Sequence, residues 1–182
     1  MSSDPIRPRI DPETAADHDA IRDIVRAAFA DHQEVADLVD AIRTSPQFVP
    51  ELSLVARWDD EVVGHVMVSH TDLVEVDGRR HRTLSLSPLA VKPALQRRGI
   101  GSALVRSALH VADTLGEPLV VLEGAPAYYS RFGFVDCRTL GIQVDLPDWA
   151  PREAGQAYPL TGYHPGLRGR LEYPPAFAAV LE

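Results

Sequence analysis

The stretch that most limits how this chain can fold runs from Ser85 to Ser102, Ser-Leu-Ser-Pro-Leu-Ala-Val-Lys-Pro-Ala-Leu-Gln-Arg-Arg-Gly-Ile-Gly-Ser. It reads as a strand, a short basic turn with two glycines, and the first turn of a helix. A helix that opens this way presents N–H groups with no intrahelical partner, and its dipole adds partial positive charge. Gly99 and Gly101 permit close backbone approach or positive φ, while Gln96, Arg97 and Arg98 add donors suited to a diphosphate. The same residues also fit an ordinary strand-to-helix turn whose glycines serve shape alone.

The flanking sequence narrows the choice. Ile100, Leu104, Ala108, Val111 and Leu115 recur on one helical face, and Gly116 stands where a C-terminal cap belongs. Leu119-Val120-Val121-Leu122 is apolar without alternation, as in a strand covered on both faces. Strand, helix and strand make a βαβ unit with parallel strands and a right-handed crossover. A dinucleotide fingerprint fails because Leu104 stands in place of the third glycine and Lys92 to Arg98 separate strand from glycines. No Walker-type lysine follows Gly101.

Gln96-Arg97-Arg98-Gly99-Ile100-Gly101 resembles the Gln/Arg-x-x-Gly-x-Gly/Ala signature of the GNAT superfamily of acetyl-CoA-dependent N-acetyltransferases. Leu89-Ala90-Val91 is similar to that family's fourth strand, and Ala127-Tyr128-Tyr129-Ser130-Arg131-Phe132-Gly133-Phe134 to its later tyrosine-to-Gly-Phe motif. The likeness runs from about Asp17 to Phe134. It implies a mixed, mostly antiparallel twisted α/β sheet flanked by helices, with a parallel cofactor unit and a splayed central strand pair. It also implies that the pantetheine arm of acetyl-CoA lies as a pseudo-strand beside Leu89, Ala90 and Val91, with the diphosphate on Gln96, Arg97, Arg98, Gly99, Ile100, Gly101 and Ser102. Pro88 supports this independently: a residue without an N–H inside a central strand calls for a bulge, which would part the strand from Leu119–Leu122.

Composition fits one domain. A chain of 182 residues with 45% hydrophobic and 24% charged residues buries a sizeable core. We expect a core over about residues 6–136, with residues 137–182 supplying closing strands and a Pro/Gly-rich end. A formal charge of −8 disfavours nucleic acid as a partner. Cys137 is the single cysteine, which excludes an intrachain disulfide and reads as packing. With no signal-peptide pattern and no long apolar run, the expectation is a soluble cytoplasmic protein without a membrane partner.

Ahead of the turn, Ile6–Ile10 reads as an edge strand interrupted by proline. Asp17 reads as the N-cap of a helix burying Ile21, Ile24, Val25, Ala28 and Phe29; Val35, Leu38, Val39 and Ile42 mark a second helix stopped near Ser45-Pro46. In the family this pair borders the acceptor site. Leu52–Trp58 and Val62–Ser69 form a hairpin around Asp59-Asp60, and a second hairpin turns at Asp77-Gly78. Past Thr139, Ile142–Leu146 and Gln156–Leu160 read as strands and Pro175–Leu181 as a helical turn. Trp149, Tyr158, Tyr163 and Tyr173 fit packing, a lid over the acceptor, or a dimer surface.

The chemistry expected is attack of a neutral primary amine on the thioester, with N–H groups near Leu89–Val91 stabilising negative charge on the carbonyl oxygen. A phenol is matched to the departing thiolate. Tyr128 shares a helical face with Phe132 and reads as the packing residue, whereas Tyr129 occupies the family's general-acid position. Glu123, at the end of the buried strand, is the candidate base; His70, Asp72 and Ser87 are alternatives that would order a water. The seven histidines show no metal-ligand spacing, and no metal is expected. Two rival readings are a non-catalytic acyl-CoA sensor and an interaction module that kept the fold. The acceptor is a small-molecule or protein amine, and a homodimer is the default assembly.

Overall fold

A computed structural model describes residues 5–181. β1 (Arg9–Pro12), β2 (Ser53–Trp58), β3 (Glu61–Val74), β4 (Arg80–Val91), β5 (Leu119–Glu123), β6 (Val135–Asp136) and β8 (Gly155–Pro159) form a sheet in the order β1-β2-β3-β4-β5-β8-β6. β9 (Gly169–Glu172) pairs with the far end of β3, and β7 (Ile142–Gln143) with β9. Every pairing is antiparallel except β4 with β5 and β7 with β9. Helix α3 (Ile100–Thr114) covers one face of the sheet. The other face carries α1 (His18–Ala28), α2 (Glu34–Arg43) and the terminal turn α5 (Ala178–Leu181).

The core follows from strand alternation. Val120 and Leu122 pack toward α3, while Leu119 and Val121 point to the opposite face with Leu73 and Leu171. Gly64 on β3 brings α3 close: a Cβ there would lie 3.1 Å from Ile100 Cγ2 and from Leu104 Cδ1. α3 ends as expected, with Gly116 at φ 78°. The first hairpin turns at Asp59 and Asp60, both at positive φ, which suits a two-residue connection. Among the described residues no helix is long and apolar enough to cross a membrane.

Four local expectations change. The strands expected at Val62–Ser69 and around Val74 are one continuous β3, because nothing between Ser69 and Val74 interrupts its ladder with β4. Asp17 precedes α1, but its carboxylate accepts from Thr14 N at 2.8 Å and Arg57 Nη2 at 2.8 Å and does not cap α1. The strand expected at Ile142–Leu146 closes after Gln143. β9 has no sequence forecast: its four residues alternate too briefly to register.

The last third of the chain does more than close an edge. β8 lies between β5 and β6 and pairs with the whole of β5, from Leu119 opposite Pro159 to Glu123 opposite Gly155.

Candidate active site

The proline bulge is present. β3 advances from Val66 to Val68 while its partners step from Leu89 to Leu86, so an extra β4 residue is accommodated at Ser87-Pro88. β4 and β5 are paired only at Leu84 with Val120 and Ser85 with Val121. Beyond that point β4 continues to Val91 against β3, and β5 continues to Glu123 against β8. The central pair is therefore splayed at its C-terminal end.

The splay leaves directed backbone groups. Lys92 donates its N–H to Val63 O at 2.9 Å, and antiparallel bonding alternates, so Ala90 turns its polar groups to β3 while Leu89 and Val91 turn theirs toward the gap. Gln96 Nε2 donates to Val91 O at 3.3 Å and ties the turn back to the strand. Arg97 at φ 61° and Gly99 at φ 90° curl the chain so that α3 begins at Ile100. The first intrahelical donor there is Ala103 N, to Gly99 O at 3.0 Å, which leaves the N–H groups of Ile100, Gly101 and Ser102 directed out of the helix end. Gln96 and Arg97 are exposed around them. Of the ten residues expected at a cofactor, Leu89 and Val91 turn backbone groups to the gap, Ile100–Ser102 form the open helix end, and Gln96–Gly99 make the turn between them.

α4 (Pro126–Tyr129) packs its tyrosines on the α3 side. Tyr128 meets Phe132 edge-on at 5.5 Å, as its spacing suggests, but its hydroxyl also reaches α3: a Cβ on Gly101 would come within 2.7 Å of Tyr128 Oη. Tyr129 lies against Gly124 at the end of β5 and against Phe134, ring centroids 5.6 Å apart. Burial, with Tyr128 alongside, pushes the Tyr129 phenol well above its usual range, so it stays protonated.

Glu123 follows Val121 by two residues, so it extends from β5 on the α1/α2 face, opposite the α4 tyrosines. It remains exposed, yet the surrounding protein raises its carboxyl above the ordinary range, and Asp145 adds to this; the hydrogen bond from Tyr173 Oη, 2.7 Å from Oε1, pulls the other way. The sequence groups Tyr173 only with the C-terminal aromatics. Its contact with a residue 50 positions earlier left no local signal. Ser87 sits in the bulge, beyond the last β4 residue paired with β5. His70 and Asp72 are engaged elsewhere: His70 Nε2 lies 2.9 Å from Glu117 Oε1, and Asp72 accepts from Arg80 at 2.8 Å.

The remaining candidates sort by burial. Cys137 is buried and its thiol is pushed up to about 12 by desolvation, with Asp136 contributing, which suits packing. Tyr158 packs on Phe134 and Tyr173 stacks on Phe177, whereas Trp149 is 84% exposed. No group of three or more His, Cys, Asp or Glu side chains is arranged to hold a metal among the described residues.

A sheet parted over a helix N-terminus is the arrangement expected of an acetyltransferase. The chain belongs to the acetyltransferase (GNAT) family, whose model matches residues 18–134. YjhQ of Escherichia coli K12, called an uncharacterized N-acetyltransferase, is 35% identical over 89 residues, 48% of either protein. The chain thus spans about half the length of the curated relatives it matches. Among solved structures, the GNAT family N-acetyltransferase YhbS of E. coli in complex with CoA superposes with a TM-score of 0.83 at 29% identity, covering 97% of this chain and 96% of that one. A GNAT family acetyltransferase from Brucella melitensis in complex with acetyl-CoA gives 0.75 at 30% identity, covering 94% and 98%.

Proposed function

We propose that the chain transfers the acetyl group of acetyl-CoA to a primary amine by direct attack. The observation that carries this reading is the gap between β4 and β5, where Leu89 and Val91 turn backbone groups outward beside the open N–H groups of Ile100–Ser102. Strand-edge amides suit the amide-rich pantetheine arm, and the helix end with Arg97 and Gln96 suits a diphosphate. CoA and acetyl-CoA in the two similar crystal structures support the same assignment.

In this reading Glu123 takes a proton from the acceptor amine, whose nitrogen bonds the carbonyl carbon. An outward N–H near Leu89 or Val91 stabilises charge on the carbonyl oxygen. The C–S bond breaks, and Tyr129 gives its proton to the sulfur, so CoA leaves as the thiol. Tyr128 is a second reading for the proton donor, favoured by its hydroxyl lying at Gly101. The acceptor is a small-molecule or protein amine.

Calorimetry with acetyl-CoA, followed by CoA release with primary amines, tests the assignment. Binding with amine-dependent release is expected. Binding without release from any amine favours the sensor reading, and no binding removes the cofactor assignment.

A further inference from the structure

We propose that Tyr173, carried by the segment after β9, is a positioning residue that fixes the Glu123 carboxylate at the mouth of the splay, so that the C-terminal segment completes the acceptor side of the site. This rests on the acetyl-transfer reading above.

The hydroxyl of Tyr173 donates to Glu123 Oε1 at 2.7 Å. Its ring is held by stacking on Phe177, centroids 4.9 Å apart and planes 26° from parallel, and Phe177 is itself buried among the residues of α1 and α2. The phenol is thus clamped between the two helices and the sheet rather than free to rotate away. Ser85, on β4, is paired with Val121, two residues before Glu123 on β5. The hydrogen bond from Tyr173 joins the segment after β9 to the end of β5, 50 residues earlier.

The surroundings are polar where a core would be apolar. Ser69 is the cross-strand partner of Ser85, so the two share a face, and the buried Ser69 hydroxyl has no hydrogen-bond partner among the described residues. A carboxylate left to itself at a strand end samples several rotamers; a short hydrogen bond from a clamped donor selects one. The groups that act on Glu123 are Tyr173, which donates to it, and Asp145, whose negative charge raises its carboxyl. Of these, Tyr173 supplies the hydrogen-bond donor, and Asp145 is itself paired with Arg170, whose Nε lies 2.9 Å from Oδ2.

The test compares wild type, Tyr173→Phe and Glu123→Gln as full-length chains. Acetyl transfer to spermidine, putrescine and Nα-acetyl-lysine is followed from pH 5 to 10, with acetyl-CoA affinity measured by calorimetry. Tyr173→Phe keeps the stacked ring, so folding and acetyl-CoA binding are expected within twofold of wild type. Its kcat/KM for the amine is expected to fall roughly 10-fold, with the acid limb moved up by roughly 0.5–1 pH unit, because the lost hydrogen bond favoured the ionised carboxylate. In Glu123→Gln that limb disappears and adding Tyr173→Phe costs little more. An unchanged pH profile in Tyr173→Phe, or full additivity of the two substitutions, overturns the proposal while leaving acetyl transfer intact. Wild type that binds acetyl-CoA yet acetylates none of the three amines overturns it together with the base assignment, and wild type that fails to bind overturns the underlying reading as well.

Discussion

The hydroxyl of Tyr128 rests against the α-carbon of Gly101, so closely that a methyl group at that position would stand 2.7 Å from Oη. The contact joins α4 to the start of α3 across the end of the splay. It explains why a glycine is suited to the second residue of a helix, where its backbone freedom has no use: the space is taken by a tyrosine from another element.

Gly101→Ala is accordingly expected to push the Tyr128 ring out of place and raise KM for acetyl-CoA roughly 10-fold, despite alanine's better helix propensity. Tyr128→Phe in the same chain removes the colliding oxygen and should restore most of the affinity. Calorimetric titration of acetyl-CoA into both proteins checks this, and an affinity unaffected by Gly101→Ala would show that the cofactor does not pass this contact.

The two tyrosines are separable by kinetics. Tyr129→Phe is expected to lower kcat on the order of 100-fold with acetyl-CoA affinity nearly unchanged, as loss of a general acid requires. Tyr128→Phe should leave kcat within a few-fold. The reverse pattern would transfer the proton-donor role to Tyr128. Because burial holds the Tyr129 phenol protonated, no alkaline limb from this group is expected below about pH 10.

Acid should loosen the α1/α2 side of the sheet through a buried cluster. Glu13 accepts from Arg43 Nε at 2.6 Å and Ser53 Oγ at 2.7 Å, and lies 3.2 Å from His65 Nε2. Burial alone would raise its carboxyl, but hydrogen bonds with His65, Arg43 and Ser53 outweigh this and hold it at about 2. A depressed carboxyl contributes stability that is present above its ordinary value of 4.5 and lost as pH falls toward about 2, at most about 3 kcal/mol. His65 is buried, and desolvation lowers its pKa, so its contribution is lost as pH falls below 6.5. Denaturation midpoints between pH 7 and 3 should decline in two stages, and Glu13→Gln should flatten the lower one. A single decline unaltered by Glu13→Gln would remove this cluster from the acid response.

Gly64→Val tests how closely α3 must approach. The added carbons meet Ala90 O, Ile100 and Leu104, the first Cβ contact being 3.1 Å with each. Overpacking of this kind lowers the melting temperature by roughly 3–10 °C. Thermal melts followed by circular dichroism read it directly, and an unchanged midpoint would mean that α3 shifts without cost.

What could be read from the sequence was whatever local chemistry dictates. Gly99 and Gly116 mark the ends of α3, Pro88 marks the bulge, and the unbroken apolar run of β5 marks a strand covered on both faces. Each signal spans a few residues and rests on sterics or periodicity. The link from Tyr173 to Glu123 and the meeting of Tyr128 with Gly101 join distant parts of the chain, and no spacing rule reports such contacts. β9 was missed for a related reason: only its docking on the far end of β3 makes Gly169–Glu172 a strand. Asp17 has a cap residue's chemistry, but Thr14 and Arg57 compete for its carboxylate.

The position of β8 bears on how such proteins can be cut down. The stretch that matches the family stops at Phe134, ahead of the strand that saturates the outer edge of β5. A truncated chain ending there would carry the glycine turn and both α4 tyrosines, but would expose a bare apolar strand primed to pair with other molecules. The boundary of family recognition, at Phe134, is therefore not the edge of the sheet, because β8 closes β5 from beyond it.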